Sequence, residues 1–176
     1  VVTYRPRYLS MATDHPMHLG FEPGELIKRA DVILTIESDV PWIPSLHAPN
    51  PEAKIIQLGI DPLFSKYPMR SFPCDLAITG SPSSVIPALT AALADRESAA
   101  TPRIDSRRIR IAERHGKLRA EWAAKLEASR NGGPTDASWV AHCIDQVKGD
   151  DDIMVSESQL ALTNLVFRNP GTFFGT

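Results

Sequence analysis

Two short apolar runs dominate the hydrophobicity pattern, VILTI at 32–36 and IIQLGI at 55–60, and each is followed at once by an acidic residue, Glu37 and Asp61. Neither run alternates polar with apolar positions, and both are rich in β-branched residues. Such runs predict strands buried on both faces, as in parallel sheets layered by helices. Upstream, FEPGELIKR at 21–29 puts Pro23 near a helix start and Leu26 and Ile27 on one side, so a helix precedes the strand as βαβ winding requires. A third short strand is predicted at LAIT, 76–79. The stretch GSPSSV at 80–85 then opens a helix, with Ser81 placed to cap it and Pro82 at the first helical position. Val85, Ile86, Leu89, Ala92 and Leu93 fall on one stripe of that helix and are expected to close the core. Val1, Val2 and Thr3 read as the tail of a first strand, and residues 5–20, rich in proline and histidine, as a long loop.

The pattern changes near residue 95. Small and polar residues from 95 to 102 predict a domain edge. Beyond it Ile104, Ile111, Leu118, Trp122 and Leu126 recur at seven- and four-residue intervals through a stretch dense in arginine and lysine, which predicts one long amphipathic helix with a narrow seam, stopped by NGGP at 131–134. A new helix is expected from Thr135, as N-cap, with Asp136 favourable against the dipole and Trp139, Val140, Cys143, Ile144 and Val147 on its buried face. IMVS at 153–156 predicts a strand, with turns at 157–160 and 168–171. The expected organisation is therefore a parallel α/β domain at 1–95 with helices on both faces, a linker helix region at 96–134, and an incomplete second α/β unit at 135–176. Val1 is not preceded by an initiating methionine and the last unit is unfinished, so the chain is expected to be cut from something longer.

Composition narrows the classes of function. The 176 residues, 43% of them hydrophobic, can bury one ordinary core. A formal net charge of -2 supplies no positive field for nucleic acid or an anionic membrane surface. The basic residues between Arg107 and Arg119 are interleaved with Glu113 and lack neighbouring aromatics for base stacking, so they read as a solvated face. Two cysteines without CxxC spacing indicate neither a disulfide framework nor a zinc site, and nothing approaches 18 consecutive apolar residues. A cytoplasmic location is expected.

Candidate chemistry is sparse. His15 and His18, in DHPMHLG at 14–20, brace a loop through backbone hydrogen bonds more readily than they bind a ligand. Glu37 and Asp39 share a strand face but have no base or nucleophile beside them. Trp42, between two prolines, reads as a packing plug with a possible stacking face. Asp150, Asp151 and Asp152 are adjacent acids on a turn, without the alternation of a calcium loop. No catalytic residue and no metal ligand is assigned.

The order of these motifs, DHPMHLG at 14–20, ADVIL at 30–34 and AKIIQLGIDP at 53–62, resembles the central domain of thiamine-diphosphate-dependent enzymes of the acetolactate synthase and benzoylformate decarboxylase group. IMVSE at 153–157 and RNPGTFFG at 168–175 resemble the opening of that family's C-terminal diphosphate-binding domain. The resemblance implies a Rossmann-like middle domain, chiefly structural, within an enzyme that uses thiamine diphosphate and Mg²⁺ to decarboxylate or carboligate 2-oxo acids, and that works as a homodimer or homotetramer. It implies that Glu157, Ser158 and Gln159, following a strand at its C-terminal end, face the cofactor diphosphate. The family's activating Glu and its Gly-Asp-Gly metal motif have no counterpart here. FAD is disfavoured, because the Arg-rich turn of the FAD-binding members is replaced by VPWIP at 40–44. The alternative is a free-standing Rossmann-like module that binds a nucleotide or a partner without catalysis, although no G-x-G-x-x-G follows a strand.

Overall fold

The computed structural model describes residues 1–70, 72–130, 136–157 and 160–175, and leaves the side chains of residues 95 and 97–100 outside the description. The architecture is mixed α/β. In chain order the elements are α1 (Gly24–Ile27), β1 (Val32–Ile36), β2 (Lys54–Gly59), β3 (Leu76–Thr79), α2 (Pro82–Ser129), α3 (Ala137–Val147), β4 (Met154–Ser156), a 3₁₀ turn at Leu162–Asn164, and β5 (Phe173–Gly175). Internal contacts divide the chain into two units. One is Pro23–Arg103; the other joins Val1–Glu22 to Ile104–Thr176.

The first of these holds a parallel sheet of order β1-β2-β3, in register Ile33 to Ile55 and Leu58 to Ile78. One face is packed, because Ile55 is buried with Ile27 and Trp42 while Ile33 and Phe72 close around them. The other face departs from the expectation of strands buried on both sides. Val32, Leu34 and Ile36 project there and are 54%, 40% and 39% exposed, and Leu76 on β3 is 51% exposed. In β1, then, burial alternates with period two even though hydrophobicity does not, because a strand at the edge of a three-stranded sheet is covered only where another element lies over it. Only the central β2 is largely buried, at Ile55, Gln57, Leu58 and Gly59.

Proline starts α2 at Pro82 as expected, and the carbonyl of Ser81 receives the N–H groups of Ser84 and Val85. The stretch at 95–102 is helical, since α2 runs to Ser129 with Pro87 and Pro102 inside it, and the division between the two units falls just after it, between Arg103 and Ile104. Alanine-rich sequence on both sides of the polar stretch favours helix strongly enough to carry it through a proline. The stripe meant to close the core is only half covered, because Val85 and Leu89 are partly buried whereas Ile86 and Leu93 are exposed. The seam farther along is seen as expected: Ile104, Ile111, Leu118, Trp122 and Leu126 are each partly buried among exposed neighbours.

In the other unit the core is Leu9, Ala141, Leu165, Phe167 and Phe173. β4 and β5 pair in parallel, Val155 opposite Phe174, and Tyr8 bridges Phe174 from the far side. The N-terminal segment is stitched to this small sheet: Gly175 N donates to Arg7 O (2.8 Å), Gly171 N to Leu9 O (2.9 Å), and Phe167 N to the buried Thr13 hydroxyl (3.0 Å). Val1 to Thr3 are not a strand of the three-stranded sheet; Thr3 N and Leu19 N instead tie this end to Gly20 and Val1 carbonyls. The N-cap of α3 is Asp136, whose carboxylate accepts from Ser138 N and Trp139 N (2.9 and 3.0 Å), while Thr135 lies outside the described residues. The buried side of α3 is narrower than its pattern predicts. Ala141 is fully buried, but Cys143 is exposed and Val147 is 83% exposed.

Candidate functional site

In open α/β sheets ligands bind beyond the carboxyl ends of the strands. Here that edge is built from Glu37 after β1, Gly59 and Ile60 at the end of β2, and Gly80 after β3. Glu37 adopts a left-handed backbone, φ 47°, which carries a side-chain penalty in any residue but glycine. The turn aims its carboxylate back at β2, where Oε1 accepts the Ile60 N–H at 2.7 Å. The same approach explains the glycine at position 59, since a Cβ there would lie 3.0 Å from the Glu37 carboxylate. Asp39 accepts the N–H of Val40 at 2.9 Å, so the two carboxylates serve separate backbone donors and do not form an acid pair. Asp61 likewise caps a turn, accepting from Ser65 N and Oγ at 2.8 and 2.9 Å.

Arg70 joins the loops at this edge. It donates to Asp39 O (3.1 Å), Ser38 O (3.2 Å) and Gln57 Oε1 (2.9 Å), and its guanidinium lies over the rings of Phe64 and Phe72 at 4.4 and 5.0 Å. Gln57, buried in the strand, completes the chain by donating to Pro73 O at 3.0 Å. Burial pulls the Arg70 guanidinium below its ordinary value, with Asp39 opposing the shift, and it stays charged at neutral pH. Trp42 is 2% exposed and meets Phe72 edge-on at 5.3 Å, so it is a plug and offers no stacking face. Sequence reasoning missed Arg70 altogether. Its hydrogen-bond partners lie 13 to 32 residues away, and no local pattern announces them.

The histidines of the loop both serve as braces. His15 Nδ1 accepts from Met17 N at 3.0 Å. His18 is fully buried, with Nε2 2.9 Å from the Thr3 hydroxyl, and His115 Nδ1 lies 2.6 Å from its carbonyl. Desolvation, reinforced by the Val1 ammonium, His115, Arg119 and His15, lowers the His18 pKa to about 4, so the ring is neutral at pH 7. The acidic turn after α3 is also engaged within the chain. Arg168 holds Asp150 at 2.7 Å and reaches Asp14 at 3.4 Å, Asn169 donates to Asp151 at 2.6 Å, and Asp152 accepts from Gly149 N at 2.7 Å. Among the described residues no group of His, Cys, Asp or Glu is arranged to hold a metal ion.

Of the three residues assigned to a cofactor, Glu157 stands exposed immediately after β4, at its carboxyl end; Ser158 and Gln159 lie outside the described residues. Among the described residues no group of carboxylates arranged for Mg²⁺ accompanies Glu157. No helix among the described residues is long and apolar enough to cross a membrane. Compared with known proteins, the chain matches no family model and has no significant match among curated sequences.

Proposed function

We propose that this chain is the central part of a thiamine-diphosphate-dependent enzyme of the acetolactate synthase type, which acts on 2-oxo acids by decarboxylation, carboligation or both, and that this part is chiefly structural. The observation that carries the reading is the order of motifs on the fold. A parallel strand ends in Gly-Ile-Asp-Pro at 59–62, a Gly-Ser-Pro turn opens a helix after the next strand, and a second parallel pair, β4 with β5, follows downstream. In this reading Glu157, with Ser158 and Gln159, approaches the diphosphate. The metal and most of thiamine diphosphate are held by residues outside this chain, because the family's activating Glu and its Gly-Asp-Gly motif have no counterpart in this sequence. The reading also disfavours FAD, because VPWIP at 40–44 stands where the FAD-binding members carry an Arg-rich turn. The parent enzyme is a cytoplasmic homodimer or homotetramer.

Calorimetric titration of the chain with thiamine diphosphate and Mg²⁺ tests the structural role. No saturable heat is expected, and micromolar binding would overturn it. A parallel titration with ADP and FAD separates this reading from a free-standing nucleotide-binding module, which would bind one of them. In the parent enzyme, replacing Ser158 and Gln159 together by alanine is expected to weaken thiamine diphosphate binding, and unchanged affinity removes them from the site.

A further inference from the structure

The N-terminal segment meets α2 through a short contact that keeps one histidine from water. The buried ring of His18 has Nε2 on the Thr3 hydroxyl, while its Nδ1 has no hydrogen-bond partner among the described residues. The ring meets Phe21 edge-on at 5.3 Å, and Phe21 stacks on Trp122 of α2 at 6.1 Å. Gly20, at φ 83°, lets the backbone approach so closely that a Cβ would stand 2.9 Å from the Trp122 indole and 3.1 Å from Leu118. The charged and titratable groups acting on His18 are the Val1 ammonium and His15 from its own segment, and His115 and Arg119 from α2. Each of them disfavours a positive charge on the ring, and no carboxylate is among them.

A proton added to the buried ring would leave an N–H without an acceptor, place a charge out of water, and set it beside other positive groups. These three costs have the same sign. The segment escapes all of them by leaving the helix, where the imidazole is solvated. We propose that His18 is an acid-operated latch, whose protonation releases residues 3–21 from the stretch of α2 between His115 and Trp122 and uncovers the aromatic contact of Phe21 with Trp122. The inference is independent of any enzymatic reading, since it rests on this contact alone.

The sign follows from the two states. The released ring titrates at its ordinary value, 6.5, and the buried one at about 4. Opening therefore takes up a proton between these limits, and the open population rises about tenfold for each pH unit below 6.5 until it levels near pH 4.

The test is amide exchange of residues 3–21 in the intact chain from pH 7.5 to 4, corrected for intrinsic rates, with NMR titration of the histidine rings and Trp122 emission in parallel. Protection in 3–21 is expected to fall about tenfold per pH unit below 6.5 while that of β2 holds, with a red shift of Trp122 over the same range. His18→Gln should flatten this profile, and His115→Gln should retain it. Acetylation of Val1 should also retain it, and a profile lost on acetylation would assign the effect to the ammonium and overturn the latch. If His18→Gln does not fold, the native ring decides: titration of His18 with protection in 3–21 unchanged overturns the proposal.

Discussion

At the N-terminus of α3 two adjacent residues, Thr135 and Asp136, are both competent caps, and composition alone does not choose between them. The backbone does, since Asp136 is extended at ψ 118° and its carboxylate reaches the N–H groups of two following residues. Asp136→Ala is expected to cost about 1 kcal/mol of unfolding free energy, measured by urea denaturation, because two end donors lose their acceptor. An unchanged midpoint would return the cap to Thr135. Glu37 presents the opposite case. Its acid character is plain in the sequence, but its left-handed backbone and its bond to Ile60 N belong to a pairing 23 residues away.

Among the elements, the strands lie where their apolar runs place them, but the runs misjudge how much of each is covered. β1 is an edge strand with one packed and one open face, and this has a measurable consequence. Ile55→Ala should destabilise the chain by about 2 to 5 kcal/mol, as truncations in a buried cluster do. Leu34→Thr, on the open face, should stay within about 1 kcal/mol. Comparable losses at both positions in denaturant titrations would mean that the open face is covered in solution. The long helix shows a similar gap between composition and context. The small and polar residues at 95–102 do mark the end of one unit at Arg103, yet they are helical, because helix propensity on both sides outweighs Pro102, whose cost is about 3 kcal/mol.

For the molecule as a whole, charge and exposed apolar surface act together. Ile60, Leu63, Met69, Ile153 and Val155 are all exposed, and the sequence pI of about 6.2 lies close to neutrality. With self-repulsion at its weakest there, solubility should pass through a minimum near pH 6 and rise on both sides, as followed by turbidity across pH 5 to 8. A monotonic profile would show that net charge does not control association.

The positions of β1, β2 and β3, the proline start of α2, the helix α3 and the strand before Glu157 were all legible in the chain, because each depends on local period and turn chemistry. So was the bracing role of His15, whose partner is two residues away. The long-range facts were not legible. The chain does not announce that Arg70 ties Ser38 and Asp39 to Gln57, that Thr13 receives the N–H of Phe167, or that His115 lies over the His18 carbonyl 97 residues earlier. Nor does it show which face of β1 is packed. Local patterning records what each residue prefers, whereas coverage, buried pairing and the pKa of His18 are set by neighbours that only the folded chain brings together.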